Sequence, residues 1–365
     1  MSTLFHIFNS IQNTLFPWLE EALDPLSEKE QKFVQLLSVM DLETHMKAYR
    51  WKVKGRKRKN RLSMAKAFVA KAIYNFETTD ILIDYLRGCK NTRRLCGWEN
   101  PWQVPSKSTF SRAFAQFSEG NLTQDIHQAM VKEHCGDKLA GHISRDSTAI
   151  AAREKPAKKK SDESVAQPKR KPGRPRKGEV VAPKPPKRLD LQPTRSLEDN
   201  FKDLSTQCDV GPKKNSKGYK ESWTGYKLHL DCIDGDIPVS TILTSASFHD
   251  SQAAIPLSQM SQERITNLYD LMDSAYDAPQ IHSFSKNLGH KPIIDHNPRR
   301  GEKIYMDPAT KARFAQRSSA ERVNSYLKDN YGGRNIRVKG AAKVMTHLMF
   351  GVIVITATQL FRLLE

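Results

Sequence analysis

Three carboxylates carry the sequence patterns most able to do chemistry in this chain. Asp146 lies in SRDSTAI, Asp273 in LMDSAYD and Glu321 in RSSAERVNSYLK. Taken as one helix over 313–330, the segment around Glu321 has an odd face. With about 100° of rotation per residue, Arg317 sits at 0°, Lys328 near 20°, Glu321 near 40° and Phe314 near 60°. Ala320, Val323 and Leu327 form the apolar back. An acid is thus held between two bases on one stripe. Any one of these acids alone reads more simply as a surface carboxylate or a helix cap. Three brought to one point would repel and raise one another's pKa values unless cations neutralised them. Hard oxygen ligands with open positions suit Mg²⁺, two ions, with Mn²⁺ as a substitute. Such a pair of ions activates a water or a 3′-hydroxyl for in-line phosphoryl displacement.

The elements that must position these acids can be read from periodicity. From about 139 the pattern is that of strands: GHISRDSTAIAA, then TGYKLHLDCI and IPVSTILTSA joined by a hairpin turn around Gly235. DSQAAIPLSQM reads as a helix, RITNLYDLMDSAYD as a strand ending at Asp273, APQIHSFSKNLG as a helix and KPIIDHN as a short buried strand. The late helix with Glu321 follows. The fold class is therefore α/β, a mixed sheet with flanking helices. If the fourth strand lies beside the first, Asp146 and Asp273 project from neighbouring strands, and the late helix can bring Glu321 over them. Asp250 is a rival second acid, placed at a helix N-cap. Asp295 and His296 follow the last strand, where they serve as outer support or as turn residues.

Residues 1–138 read as an all-helical region. LSEKEQKFVQLLSVM opens with a capping box from Ser27 to Glu30. YRWKVKGRKRKNR, with Arg56, Lys57, Arg58 and Lys59, contains no acid and reads as a phosphate-contacting stretch. WQVPSKSTFSRAFAQF carries Lys107 and Arg112. It is either the second helix of a helix-turn-helix or an ordinary capped helix.

Charge points to the partner. The 365 residues hold 59 Lys and Arg against 40 acids, a net charge of +19. Such a balance calls for a polyanion, first of all nucleic acid. Five cysteines without a C-x-x-C pair fit a reduced, cytoplasmic protein near the nucleoid rather than a disulfide scaffold. HLMFGVIVITATQLF near the C-terminus is interrupted by polar residues and reads as a buried helix, not a membrane span.

More than half of the net charge sits in one insert. Residues 153–188 hold fourteen Lys or Arg against four acids, a net +10. The basic, Pro-rich interruption at 153–200 is too poor in apolar residues at its core to fold alone. Within it, RKPGRPRKG resembles an AT-hook. Pro175 keeps the arm extended, and Arg174 and Arg176 follow the negative potential of a narrow minor groove. The alternative is a bland basic linker. Deleting 155–188 is expected to weaken DNA binding and to lower its salt slope by about 0.9 per lost phosphate contact. Unchanged affinity and slope in a salt titration would make the segment a linker only.

With the acids, the strand order and the stripe in place, the chain resembles the RNase H-like catalytic domain of DDE transposases from bacterial insertion sequences, of the families four and five type. The stripe is similar to the Y-(2)-R-(3)-E-(6)-K signature of one large branch. It reads here Phe314, Arg317, Glu321 and Lys328, with Phe in place of Tyr. The resemblance implies Asp146, Asp273 and Glu321 as metal-binding acids, and Arg317 and Lys328 as holders of phosphates at the element ends. It also implies double-stranded DNA, both element ends and target, as partner, and a homodimer on paired ends. CDVGPKKNSKGYKESWTGYKLHL resembles the family's lead into its second strand. Lys213, Lys214, Lys217 and Lys227 within it are the cations assigned to DNA with that resemblance. Some members stack a Trp from a β insertion on a flipped base, but no Trp lies between Asp273 and Glu321. Residues 1–138 are expected to form a helical DNA-binding and dimerisation domain, and 139–365 the catalytic domain. A non-catalytic DNA-binding regulator and a structure-selective nuclease of the same fold remain as alternatives.

Overall fold

A computed structural model describes residues 3–49, 58–157, 186–214, 217–299 and 301–363. Arg56 and Lys57 of the first basic stretch lie outside the described residues, as does the whole AT-hook-like motif with Arg174, Pro175 and Arg176.

The described part of the N-terminal region is helical. It runs through α1 (Thr3–Ser10), α2 (Phe16–Ala22), α3 (Glu28–Met40), α4 (Leu42–His45), α5 (Arg61–Ile73), α6 (Thr79–Gly88), α7 (Lys90–Leu95), α8 (Lys107–Glu119) and α9 (Leu122–Cys135). The capping box at α3 is formed. The Ser27 side chain accepts from the Glu30 backbone N–H, and Glu30 accepts from the Ser27 N–H at 2.9 Å. The two groups satisfy each other's otherwise orphaned donors.

The sheet follows: β1 (Leu139–Ala151), then after α10 (Arg188–Leu191) and α11 (Leu197–Asp203), β2 (Asp209–Lys214), β3 (Lys220–Ile233) and β4 (Ile237–Ser245). Next come α12 (Ser251–Gln262), β5 (Thr266–Met272), α13 (Pro279–Asn287) and β6 (Lys291–Ile294). The chain ends in α14 (Pro308–Phe314), α15 (Ser318–Asn330) and α16 (Ala341–Arg362). Strand order is β2-β3-β1-β5-β6, with β4 also paired to β3. β1 runs antiparallel to β3 and parallel to β5, so the sheet is mixed. The β3–β4 turn is a hairpin with positive φ at Gly235 and Asp236, as the DGD signal requires.

Three sequence expectations are corrected. The insert at 153–200, expected not to fold by itself, is helical at its described end, through α10 and into α11, where Gln192 donates to the Gln252 carbonyl and Asn200 to the Gln259 side chain of α12. The periodicity gives five strands, whereas the described residues form six, the addition being β2. DVGPKK carries Gly, Pro and two Lys, a composition depleted in strands and tolerated only at an edge. The segment 313–330 is not one helix. A 3₁₀ turn at Ala315–Arg317 separates α14 from α15. Ser144 on β1 holds that turn, donating its hydroxyl to the Gln316 carbonyl at 3.0 Å. Arg322 then ties α15 to the hairpin through two bonds to Asp236, at 2.8 and 2.7 Å.

Helix α16 joins the two regions. Its Val344, Leu348 and Val352 pack with β3 and α15, while Phe350, Ile353 and Leu360 pack with α3, α5, α8 and α9. The helix has the length and apolarity of a membrane span, but 83% of its most apolar window is buried within the fold. Gly351 lets α15 cross it closely, since a Cβ there would lie 2.5 Å from Leu327 and 2.8 Å from the Tyr331 carbonyl. One apolar cluster also runs from the helical region into the sheet through Ile143, Ile233 and Val239.

Candidate active site

Parallel pairing of β1 with β5 aligns Ser144 with Leu271. Two residues further on, the same register sets Asp146 opposite Asp273. Asp146 is partly buried and accepts from the Asn324 side-chain amide of α15 at 3.0 Å. Burial raises its carboxyl from the ordinary 3.8 to about 6, the Asp273 charge adds to this, and Arg317 and Asn324 oppose it. Asp273 caps the short turn after β5, accepting from the Ala275 N–H at 2.9 Å. Its pKa is also raised, first by burial, then by Asp250 and Asp295, against the pull of Arg317. Two carboxylates, one inside β1 and one at the end of β5, are thus held in a site that disfavours their charge.

Glu321 is placed differently from expectation. Its carboxylate, half exposed, is bound by Arg317 at 2.6 Å, four residues earlier. Among the described residues, no group of three or more metal-capable side chains is gathered at one point. The helix instead sends Asn324, one turn beyond Glu321, to Asp146. The Arg317 guanidinium lies over the Phe314 ring at 5.6 Å from its centroid. Arg317 thus stands among all three acids as their internal counter-cation. The stripe survives from Arg317 to Lys328, but Phe314 belongs to the helix before the turn and leaves the simple rotation.

The cations assigned to DNA divide into groups. Lys328 is partly buried, its pKa lowered by burial and by Lys213 and Arg334, and raised by Asp146. Lys328 and Lys213 of β2 therefore lie close to each other and to the acids. Lys214 closes β2 and Lys217 lies in the turn after it. Arg58 and Lys59 are exposed just before α5, where burial first, and then Arg58 and Arg112, lower the pKa of Arg61. Lys227 is a correction. It is mostly buried, ion-paired with Asp250 at 2.8 Å and donating to the Phe248 carbonyl at 2.8 Å. It points inward because its strand position faces α12 rather than solvent. Asp250, expected as an N-cap, occupies that position but makes no capping bond. Its charge is spent on Lys227 and lies 3.9 Å from His229. Asp295 is paired with Lys303 at 3.1 Å.

Beneath Asp146, Arg145 and Asp231 form a fully buried bidentate pair, with both bonds at 2.7 Å. Neither this pair nor Asn324 was read from the sequence. Only the i, i+3 spacing from Glu321 could have singled out Asn324.

This geometry now meets the comparison with known families. The family model described as Transposase DDE domain matches residues 142–357, more than half of the chain and all three acids. The chain belongs to the DDE transposase family. A second model, Transposase domain (DUF772), matches residues 21–116, within the helical region of this transposase. No curated protein matches the sequence. The α/β sheet and the helical N-terminal region agree with the fold class read from the sequence. The five cysteines of the transposase are free.

The raised pKa of Asp146 has a consequence for stability. A carboxyl with a folded pKa above its unfolded one binds its proton more tightly when folded. Its stabilising contribution is complete below the unfolded pKa near 3.8 and is lost as pH rises through about 6. Asp146→Asn is therefore expected to stabilise the protein in a chelating buffer at pH 8, by roughly 1–3 kcal/mol, and to have little effect at pH 4. Urea unfolding at both pH values checks this, and equal effects at the two would contradict it.

Proposed function

We propose that the protein cuts the ends of an insertion sequence and joins them to target DNA, with an RNase H-like catalytic domain over 139–365 and a helical DNA-binding and dimerisation domain over 1–138. The observation that carries this reading is the placement of Asp146, inside β1, beside Asp273, just past the end of the neighbouring β5, with both carboxyls raised and both under the pull of Arg317.

The donor set fits a divalent ion. Two desolvated carboxylates need positive charge, and the cation that now supplies it is the side chain of Arg317. Asp146 and Asp273 would hold the ion or ions, Mg²⁺ or Mn²⁺, with Glu321 joining when it leaves Arg317. An ion held there would supply the positive charge that favours ionisation of a water or 3′-hydroxyl and that a leaving oxygen needs. The chain's own residues do the rest. Asn324 fixes the Asp146 carboxylate, and the Ala275 N–H fixes that of Asp273. Released from Glu321, Arg317 can take a phosphate oxygen, as can Lys328 and Lys213. In the cutting step water adds to phosphorus and the bond to the 3′ oxygen breaks. The freed 3′-hydroxyl then adds to a target phosphodiester, displacing the target's own 3′ oxygen. Two ends must be processed together, which calls for a homodimer on double-stranded DNA. The basic insert would lie along the duplex.

The test is an assay with duplex taken from the DNA flanking the gene, plus a target plasmid and Mg²⁺. Joined product supports the transposase. Cutting without joining supports the nuclease of the same fold, and binding without cutting supports the regulator.

Lys328→Ala separates holding from chemistry. A lost charged contact is worth roughly 1.5–3 kcal/mol, about tenfold or more in rate. Lower salt or more DNA should restore part of the activity of Lys328→Ala but not of Glu321→Ala. Normal cleavage by Lys328→Ala at every salt concentration would reduce the stripe to a solvated helix face.

A further inference from the structure

A cavity of about 690 Å³ opens between the helical region and the start of α16. It is lined by six cations, Lys71, Lys107, Arg153, Arg337, Lys339 and Lys343, and by two carboxylates, Glu77 and Asp80. Asp80 is paired with Lys107, and Glu77 with Arg337 at 3.4 Å. Among the described residues, Arg153, Lys339 and Lys343 make no ion pair. The first turns of α6, α8 and α16 all border the cavity, and each adds its positive end. Lys71 lies deepest. Burial, and then Arg337, lower its amine pKa to about 8. Exposed cations scattered on a surface need no explanation. Six around one concavity, offset by only two carboxylates, leave its rim positive, and a bound polyanion relieves that.

We infer that this cleft binds backbone phosphates of the DNA duplex beside the scissile bond, a contact that rests on the function proposed above. Continuity argues for a duplex rather than a small anion. The loop after α15 carries Arg334, paired with Asp329, Arg337, paired with Glu77, and Lys339, so the chain leads through further cations from Lys328 near the acids to Lys343 in the cleft. Asp146 and Arg153 are seven residues apart along and just beyond β1, which spans about 23 Å at strand rise. That is about seven phosphate steps of one DNA strand at 3.4 Å each. A single phosphate is far smaller than this 690 Å³ cleft and would reach only part of its cationic lining.

The test uses the full chain and the triple variant Arg153→Ala, Lys339→Ala, Lys343→Ala. All three side chains are exposed, so folding is expected to persist, and circular dichroism checks it. The probe is the duplex from the flanking DNA, read by anisotropy over a salt series and by hydroxyl-radical footprinting. The triple variant is expected to bind at least about tenfold more weakly at low salt, with its salt slope lower by up to about 2.7. Protection should vanish about seven nucleotides from the cut position and persist at the cut itself. An unchanged slope and footprint in the triple variant would overturn the inference while leaving the proposed function intact. No footprint with the wild type would overturn the proposed function first. In a parallel arm, inorganic pyrophosphate is added at constant ionic strength. If it raises the melting temperature of the wild type but not of the triple variant, and DNA binding is equal in both, the cleft is a small-anion site and the duplex assignment fails.

Discussion

Asp146→Ala and Asp273→Ala are each expected to lower end cleavage about a thousandfold or more while leaving end binding nearly unchanged. The expected size follows from what the acids hold. A metal in a phosphoryl-transfer site supplies several kcal/mol of charge stabilisation, and about 4 kcal/mol is three powers of ten in rate. Binding persists because the cations proposed to hold DNA, Lys213, Lys328 and those around the cleft, are other residues. Removing a raised-pKa carboxylate beside Arg317 also leaves no buried charge without a partner, so the fold is retained. Cleavage and anisotropy are measured on the same preparation in Mg²⁺. Asp250 provides the contrast. It faces the same region, raises the Asp273 carboxyl, and is bound to Lys227 at 2.8 Å. Cleavage by Asp273→Ala near the wild-type rate would overturn its role and promote Asp250 as the second acid.

The largest stability effect is expected from Asp231→Ala. Asp231 and Arg145 are essentially free of solvent. Asp231 also accepts from the Ser261 hydroxyl at 2.7 Å, which ties α12 to the sheet. Removing the carboxylate leaves the guanidinium buried with no opposite charge within bonding reach, a cost of about 3–5 kcal/mol. Because Arg145 directly precedes Asp146 in β1, the loss is expected to disturb the strand that carries the first acid. The double replacement Arg145→Met, Asp231→Leu removes both charges and fills similar volume, so it should recover most of the loss. Urea midpoints for the single and double variants decide this. A single variant as stable as the wild type would mean that the pair is held by something other than its charges.

Much of this protein follows from local pattern. Alternation in SRDSTAI, the apolar run of IPVSTILTS and the turn residues around Gly235 each act within a few residues, so element order, the place of Asp146 within its strand and that of Asp273 at the end of another can be read along the chain. The capping box at Ser27 is equally local. The charge of +19 needs no structure at all to call for a polyanion. Other features depend on contacts between distant parts. The 3₁₀ turn at Ala315–Arg317 exists because Ser144, more than 170 positions earlier, holds the Gln316 carbonyl. Edge strand β2 forms despite its composition because β3 offers it a ladder. Whether a cation faces DNA or an internal acid is a matter of which wall its strand faces, and this turns Lys227 inward to Asp250. The pairing of Arg317 with Glu321, the reach of Asn324 to Asp146 and the six-cation cleft belong to the same class. They are set by side-chain direction and by the packing of α16 between sheet and helices, which no sequence period encodes.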